Sequence, residues 1–285
     1  MYTTLITVAQ LQKLQAQGAP LVIFDCSFDL MQPTAGDASF EQVHIQNALR
    51  ADLNRHLSVQ DKSAGASGGR HPLPPRERFA QWLSQQGVNE ASQVVVYDRN
   101  GAMFCGRLWW MLKWLGHDAV ALLDGGLAAW QAAGGTTESG ACRLPTPATF
   151  RVKPSLVTLV DAKAVGERLG RPEQTLVDAR APARFKGETE PLDPIAGHIP
   201  GALNRVFSSN LDAQGFFKPA AQLRAEFESL LGQQSASSVV HHCGSGVSAI
   251  PNLLAMEIAG LGKTALYAGS WSDWCSDPKR PVAQG

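Results

Sequence analysis

The chain has no C-x-x-C pair among its five cysteines. An odd number without that spacing argues against a disulfide framework and against a tetrahedral zinc site, so a reducing compartment, the cytoplasm, is expected. There is no surplus of charge either: lysine plus arginine and aspartate plus glutamate both number 25. Neither a basic face for nucleic acid nor an acidic tail is indicated. No run reaches about 18 apolar residues, and Met1-Tyr2-Thr3-Thr4-Leu5-Ile6 is not a basic segment leading into an apolar one. Neither a membrane span nor a secretory signal is therefore expected. Small molecules and other proteins remain as partners. With 285 residues, 44% hydrophobic and 18% charged, the chain suffices for two domains with proper cores.

What the sequence does contain is itself, twice. Leu21-Val22-Ile23-Phe24-Asp25, His44-Ile45-Gln46-Asn47-Ala48-Leu49, Val94-Val95-Val96-Tyr97-Asp98 and Asp124-Gly125-Gly126-Leu127-Ala128-Ala129-Trp130 occur in the first half. In the same order the second half has Thr175-Leu176-Val177-Asp178, His198-Ile199-Pro200-Gly201-Ala202-Leu203, Ser238-Val239-Val240-His241-His242-Cys243 and Ala268-Gly269-Ser270-Trp271-Ser272-Asp273-Trp274. The spacing between partners barely drifts from Asp25/Asp178 to Trp130/Trp274. Short β-branched runs alternate with stretches apolar at helical spacing, such as Phe79 to Leu83 and Leu223 to Phe227. The expected class is therefore α/β, two tandem domains, each a parallel sheet flanked by helices. A Gly/Pro/Thr-rich stretch places the seam: one domain over 1–137, an exposed linker over 138–155, a second domain over 156–285.

The chemistry concentrates in Val239-Val240-His241-His242-Cys243-Gly244-Ser245-Gly246-Val247-Ser248-Ala249, read as a strand, one cysteine, a loop of small residues and the start of a helix. Backbone N–H groups of such a loop and of the first helical turn favour a negative charge, which makes Cys243 a candidate thiolate nucleophile rather than a small buried hydrophobe. Other motifs overlap the string. Gly244 to Ala249 fits a dinucleotide fingerprint, but no acid follows about 20 residues on. His242-Cys243 opens like a cysteine-phosphatase loop, yet Ala249 stands where a phosphate-gripping arginine belongs. Ser245 does not fit a hydrolase elbow. The first half has Asp98 in place of Cys243, and a carboxylate cannot act as a thiolate, so only the second copy is expected to be catalytic.

Together the two His-Ile-x-x-Ala turns, the Gly269-Ser270-Trp271-Ser272-Asp273-Trp274 signature and the cysteine loop resemble the tandem-domain rhodanese sulfurtransferases over nearly all of residues 5 to 283. The resemblance implies an inactive first domain and a Cys243 that carries sulfur as a persulfide, without metal or organic cofactor. Members preferring thiosulfate usually have two basic residues after the cysteine. The uncharged Cys243-Gly244-Ser245-Gly246-Val247-Ser248 loop looks like that of the 3-mercaptopyruvate sulfurtransferases, with thiosulfate as the alternative donor and a non-catalytic binding module as a third reading. The acceptor would be a thiol, such as thioredoxin, or cyanide.

By the same resemblance Ser245 assists with His71, and the position of the family's supporting carboxylate holds Asn54, with Asp52 nearby. Gly244, Gly246, Val247 and Ser248 line the bound sulfur. Arg184 matches the first of two arginines that hold the donor's carboxylate. The second falls within Pro191-Leu192-Asp193-Pro194, which has no arginine. Arg180 reads as a structural ion-pair member, His44 and His198 as turn-stabilising residues, and Trp130 and Trp274 as packing residues. Cys26, Cys105 and Cys275 read as incidental thiols and Cys142 as a linker thiol open to oxidation.

Overall fold

A computed structural model describes residues 1–142 and 144–285. Arg143, inside the expected linker, lies outside the described residues. The chain divides into two compact units: one of Met1–Val59, Pro74–Leu156 and Ala213–Phe216, the other of Gln60–Leu73, Val157–Asp212 and Phe217–Gly285.

In the first unit Val94-Val95-Val96 forms the middle of strand Gln93–Tyr97, buried throughout, as a central parallel strand covered on both faces must be. Its five-stranded sheet runs Leu5–Ile6, Val120–Leu123, Gln93–Tyr97, Leu21–Asp25, Leu49–Arg50, every pair parallel. The second unit repeats the order with Thr158–Val160, Ala265–Tyr267, Val239–His242, Thr175–Asp178 and Leu203–Asn204, again all parallel. Amphipathic helices cover the sheets: Arg76–Gln85 buries Phe79, Ala80 and Leu83, and Ala220–Leu231 buries Leu223, Phe227 and Leu231, each one turn apart. Helix Ile250–Ile258, which follows the cysteine loop, is apolar and buried from Ile250 to Met256. Among the described residues no helix is long and apolar enough to cross a membrane.

The recurring histidines do the same job twice. His44 stacks on Phe40 and bonds its carbonyl at 2.7 Å, and His198 stacks on Phe185 and bonds its carbonyl at 2.8 Å. Trp130 and Trp274 are buried with the indole N–H donated to a backbone carbonyl.

Two stretches pack differently from their linear reading. The boundary between the expected first domain and linker falls inside a strand: Thr137–Glu138 pairs antiparallel with His44–Ile45, and Phe150 further on is buried, its N–H donated to Ser84 Oγ. Gln60–Leu73, from the first half of the sequence, packs as part of the second unit. That displacement builds the site.

Candidate active site

Strand Val239–His242 lies at the centre of the second sheet, and Cys243 follows at its carboxyl end, where open α/β sheets bind ligands. The backbone there is clamped. Cys243 N–H donates to Ser270 Oγ at 3.1 Å, Cys243 C=O accepts from Trp271 N–H at 2.9 Å, and Gly244 C=O accepts from Ser272 N–H at 2.9 Å. Ser270 is buried, with φ +56, a left-handed conformation that costs a non-glycine residue about 1 kcal/mol or more. Its hydroxyl also donates to Tyr267 O at 2.9 Å. Gly246 has φ +72, and a Cβ there would fall 2.2 Å from Ala268 O, so only glycine lets the loop pass so close to the neighbouring strand end.

The first copy shows what this loop is shaped to hold. Asp98 occupies the position of Cys243, and its buried carboxylate accepts four backbone N–H groups: Asn100 at 2.9 Å, Ala102 at 3.0 Å, Phe104 at 2.8 Å and Cys105 at 2.8 Å. Gly101 and Gly246 correspond in the repeat and share the left-handed turn, φ +66 and +72. The loop architecture thus converges N–H donors on the side chain that ends the strand, an anion cradle. In the first copy the protein's own carboxylate fills it. In the second the strand ends in a thiol.

Around Cys243, itself 1% exposed, the second unit collects the other groups. His71 Nδ1 and Ser245 Oγ share a hydrogen bond of 2.7 Å, both side chains buried. Val247 and Ser248 are buried in the loop. Arg184 is held by Glu190 at 2.6 Å through Nη2 and 3.3 Å through Nε, and by Asp193 at 3.3 Å. Its remaining Nη1 lies 3.5 Å from where a Cβ on Gly244 would stand. So Arg184 is an ion-pair member and faces the cysteine loop as well. Arg180 is an ion-pair member throughout: its guanidinium clasps Asp178 at 2.8 and 3.0 Å, reaches Glu190 at 3.3 Å and lies over the Trp271 ring.

Three residues to which the sequence assigns no role complete the cluster: Arg70, Glu190 and Asp193. Arg70 Nη1 donates to Asp193 Oδ1, while its Nη2 lies 3.2 Å from the same Cβ position on Gly244. One buried carboxylate therefore holds both arginines, where the sequence shows only a missing cation. The pair of glycines before Arg70 was the available signal. Gly69 has φ +91 with a would-be Cβ 2.4 Å from Gly269 O, and Arg70 N–H donates to Ser272 Oγ at 2.9 Å. The segment is thereby docked on the start of helix Ser270–Trp274.

Asp52 is engaged within the first unit, its carboxylate accepting from Asn54 and Arg55 N–H at 3.0 and 2.9 Å and from Arg50 at 3.3 Å. Of the other thiols, burial first and Asp25 and Asp98 next push Cys26 well up, burial and Asp98 do so for Cys105, and burial and then Asp193 raise Cys275. Protonated thiols are poor nucleophiles. Among the described residues no group of His, Cys, Asp and Glu is placed to hold a metal.

Residues 7–133 and 161–277 each match the family described as the rhodanese-like domain. A Pseudomonas aeruginosa protein provisionally named 3-mercaptopyruvate sulfurtransferase is 46% identical over 266 residues, 93% of either chain. A Mycobacterium tuberculosis protein provisionally named thiosulfate sulfurtransferase is 38% identical over 99% of this chain and 97% of its own. The solved structure of 3-mercaptopyruvate sulfurtransferase from Leishmania major superposes with TM-score 0.81 at 32% identity, covering 98% of this chain and 76% of its own.

Proposed function

This chain belongs to the rhodanese family, with that domain twice over, and from that membership we propose a 3-mercaptopyruvate sulfurtransferase whose second copy performs the chemistry on Cys243. The observation that carries the assignment is the thiol at the strand end whose counterpart in the first copy is a carboxylate held by four N–H groups.

The Cys243 thiolate attacks the donor's sulfur, an S–S bond forms and the donor's C–S bond breaks, its electron pair leaving with the pyruvate enolate. The donor's S–H proton then passes to the enolate carbon, which yields pyruvate. Ser245 and His71, 2.7 Å apart, are placed to move that proton. The persulfide's outer sulfur carries negative charge into the loop's N–H groups. An acceptor, cyanide or a thiol such as that of thioredoxin, removes it in a second step and restores Cys243. No step calls for a metal or an organic cofactor. Arg184 holds the donor's carboxylate. Arg70 and Arg184 are balanced by Glu190 and Asp193, so the site offers directed N–H edges with no surplus positive charge, which suits a monocarboxylate better than the thiosulfate dianion. A reducing cytoplasm suits a chain with five free cysteines.

The test is the two donors side by side with cyanide as acceptor, together with intact and peptide mass spectrometry after donor alone. One added sulfur on Cys243, loss of activity in a folded Cys243→Ser variant and a higher kcat/KM with 3-mercaptopyruvate are expected. Sulfur on another cysteine refutes the mechanism. A higher kcat/KM with thiosulfate refutes the donor assignment alone.

A further inference from the structure

We propose that Ser272 is a positioning residue for the proton relay: its hydroxyl and its N–H tie the segment that carries His71 to the loop that carries Ser245. The inference rests on the proposed relay between those two side chains.

The hydrogen bonds close a ring. Ser272 N–H donates to Gly244 C=O at 2.9 Å, and Ser272 Oγ accepts from Arg70 N–H at 2.9 Å. Gly244 precedes Ser245 and Arg70 precedes His71, while His71 Nδ1 and Ser245 Oγ meet at 2.7 Å. Each member of the relay therefore follows directly on a residue whose backbone Ser272 holds, although Arg70 and Ser272 stand 202 residues apart in the chain. The hydroxyl is committed in both senses, since it also donates to Gly269 C=O at 3.3 Å and so turns its lone pairs to Arg70. The segment comes this close on backbone alone. A Cβ on Gly68 would fall 2.5 Å from Asp273 Oδ1, and one on Gly69 2.4 Å from Gly269 O and 2.9 Å from Ser272 Oγ. Two glycines in a row let it lie on the helix start, and the same two leave it pliant, because a residue without a Cβ has the most backbone freedom to lose. The bond from Arg70 N–H restrains that freedom just where the segment turns into the relay. Asp273, against which Gly68 rests, is fixed in its turn by the Tyr267 hydroxyl at 2.7 Å. Ser272 passes no proton itself. It acts by keeping His71 within reach of Ser245, where about an ångström decides the rate.

The test is a double-mutant cycle of Ser272→Ala and His71→Ala, read as kcat with 3-mercaptopyruvate. Loss of the tether should lower kcat of Ser272→Ala by about 10-fold with KM little changed, and loss of the relay should lower that of His71→Ala by about 100-fold. With no His71 left to position, the double variant should stay at about 100-fold, whereas independent effects would multiply to about 1000-fold. Ser272→Thr, which keeps the hydroxyl, should recover most of the wild-type rate, and Ser272→Cys, whose sulfur is a weak acceptor, takes the place of Ser272→Ala should that variant not fold. Multiplying losses would make Ser272 a general support of the fold and overturn the proposal, as would a wild-type rate in Ser272→Ala. A wild-type rate in His71→Ala would instead remove the relay, and the role of Ser272 with it.

Discussion

Replacing Gly246 by alanine tests the loop directly. The added Cβ would stand 2.2 Å from Ala268 O, 2.7 Å from Ala268 Cα and 2.8 Å from its carbonyl carbon. All three are backbone atoms of a fully buried residue at the end of strand Ala265–Tyr267, so the strand cannot give way. The loop must move by about an ångström to reach ordinary contact. Alanine at φ +72 costs about 1–2 kcal/mol by itself, and forcing a methyl into packed backbone adds about 1–3 kcal/mol. Gly201→Ala is the matched control, since Gly201 has φ +78 with nothing within 4 Å of its would-be Cβ. It should lose only the conformational part, a few degrees of thermal midpoint at about 2–4 °C per kcal/mol, and stay active. Gly246→Ala should melt lower still and lose about 100-fold in kcat/KM with 3-mercaptopyruvate, because an ångström of displacement at a nucleophile costs about that much. Scanning calorimetry and steady-state kinetics on the two variants decide it. Wild-type activity in Gly246→Ala, with a midpoint no lower than that of Gly201→Ala, would refute the account of the loop.

Ser245→Ala should reduce kcat with 3-mercaptopyruvate by about 100-fold or more and leave thiosulfate turnover nearly intact, because departing sulfite needs no proton on carbon; equal losses on both donors would take the relay away from Ser245. Stability should also depend on pH through His241, which burial first, His242 second and Arg205 third hold at about 3, against about 6.5 in the unfolded chain. The unfolded state binds the extra proton below pH 6.5, so stability falls as pH drops through the window from 6.5 toward 3, by about 2 kcal/mol on reaching pH 5. Thermal melts from pH 7 to 5 should show the slope in wild type and a shallower one in His241→Leu, and equal slopes would remove His241 as the cause.

Where contacts are local or strictly periodic, the fold was legible. Val94-Val95-Val96 and Val239-Val240 announce central strands because parallel sheets bury both faces, and the matched order of motifs announces the duplication. The feature on which the proposed nucleophile rests, the replacement of Asp98 by Cys243 at one strand end, is equally visible there. What stayed hidden depends on contacts between residues far apart in sequence. Nothing local in Arg70 or Asp193 says that they meet, and the segment Gln60–Leu73 carries no periodicity that would place it in the second unit. A two-residue strand such as Thr137–Glu138 is too short to show alternation, so the stretch reads as linker. Pro191 to Pro194 holds no arginine, whereas in space the guanidinium groups of Arg70 and Arg184 both come near Gly244.

The Asp98 loop and the Cys243 loop share an origin but not a life history. In the first, the anion is built into the polypeptide and its four N–H partners are engaged for as long as the fold lasts. In the second, by the proposed cycle, the corresponding charge arrives and departs with each turnover. On that cycle the duplication yields a pair in which one member is permanently loaded and the other works as a shuttle, so that a chain with two such loops would ferry a single sulfur atom.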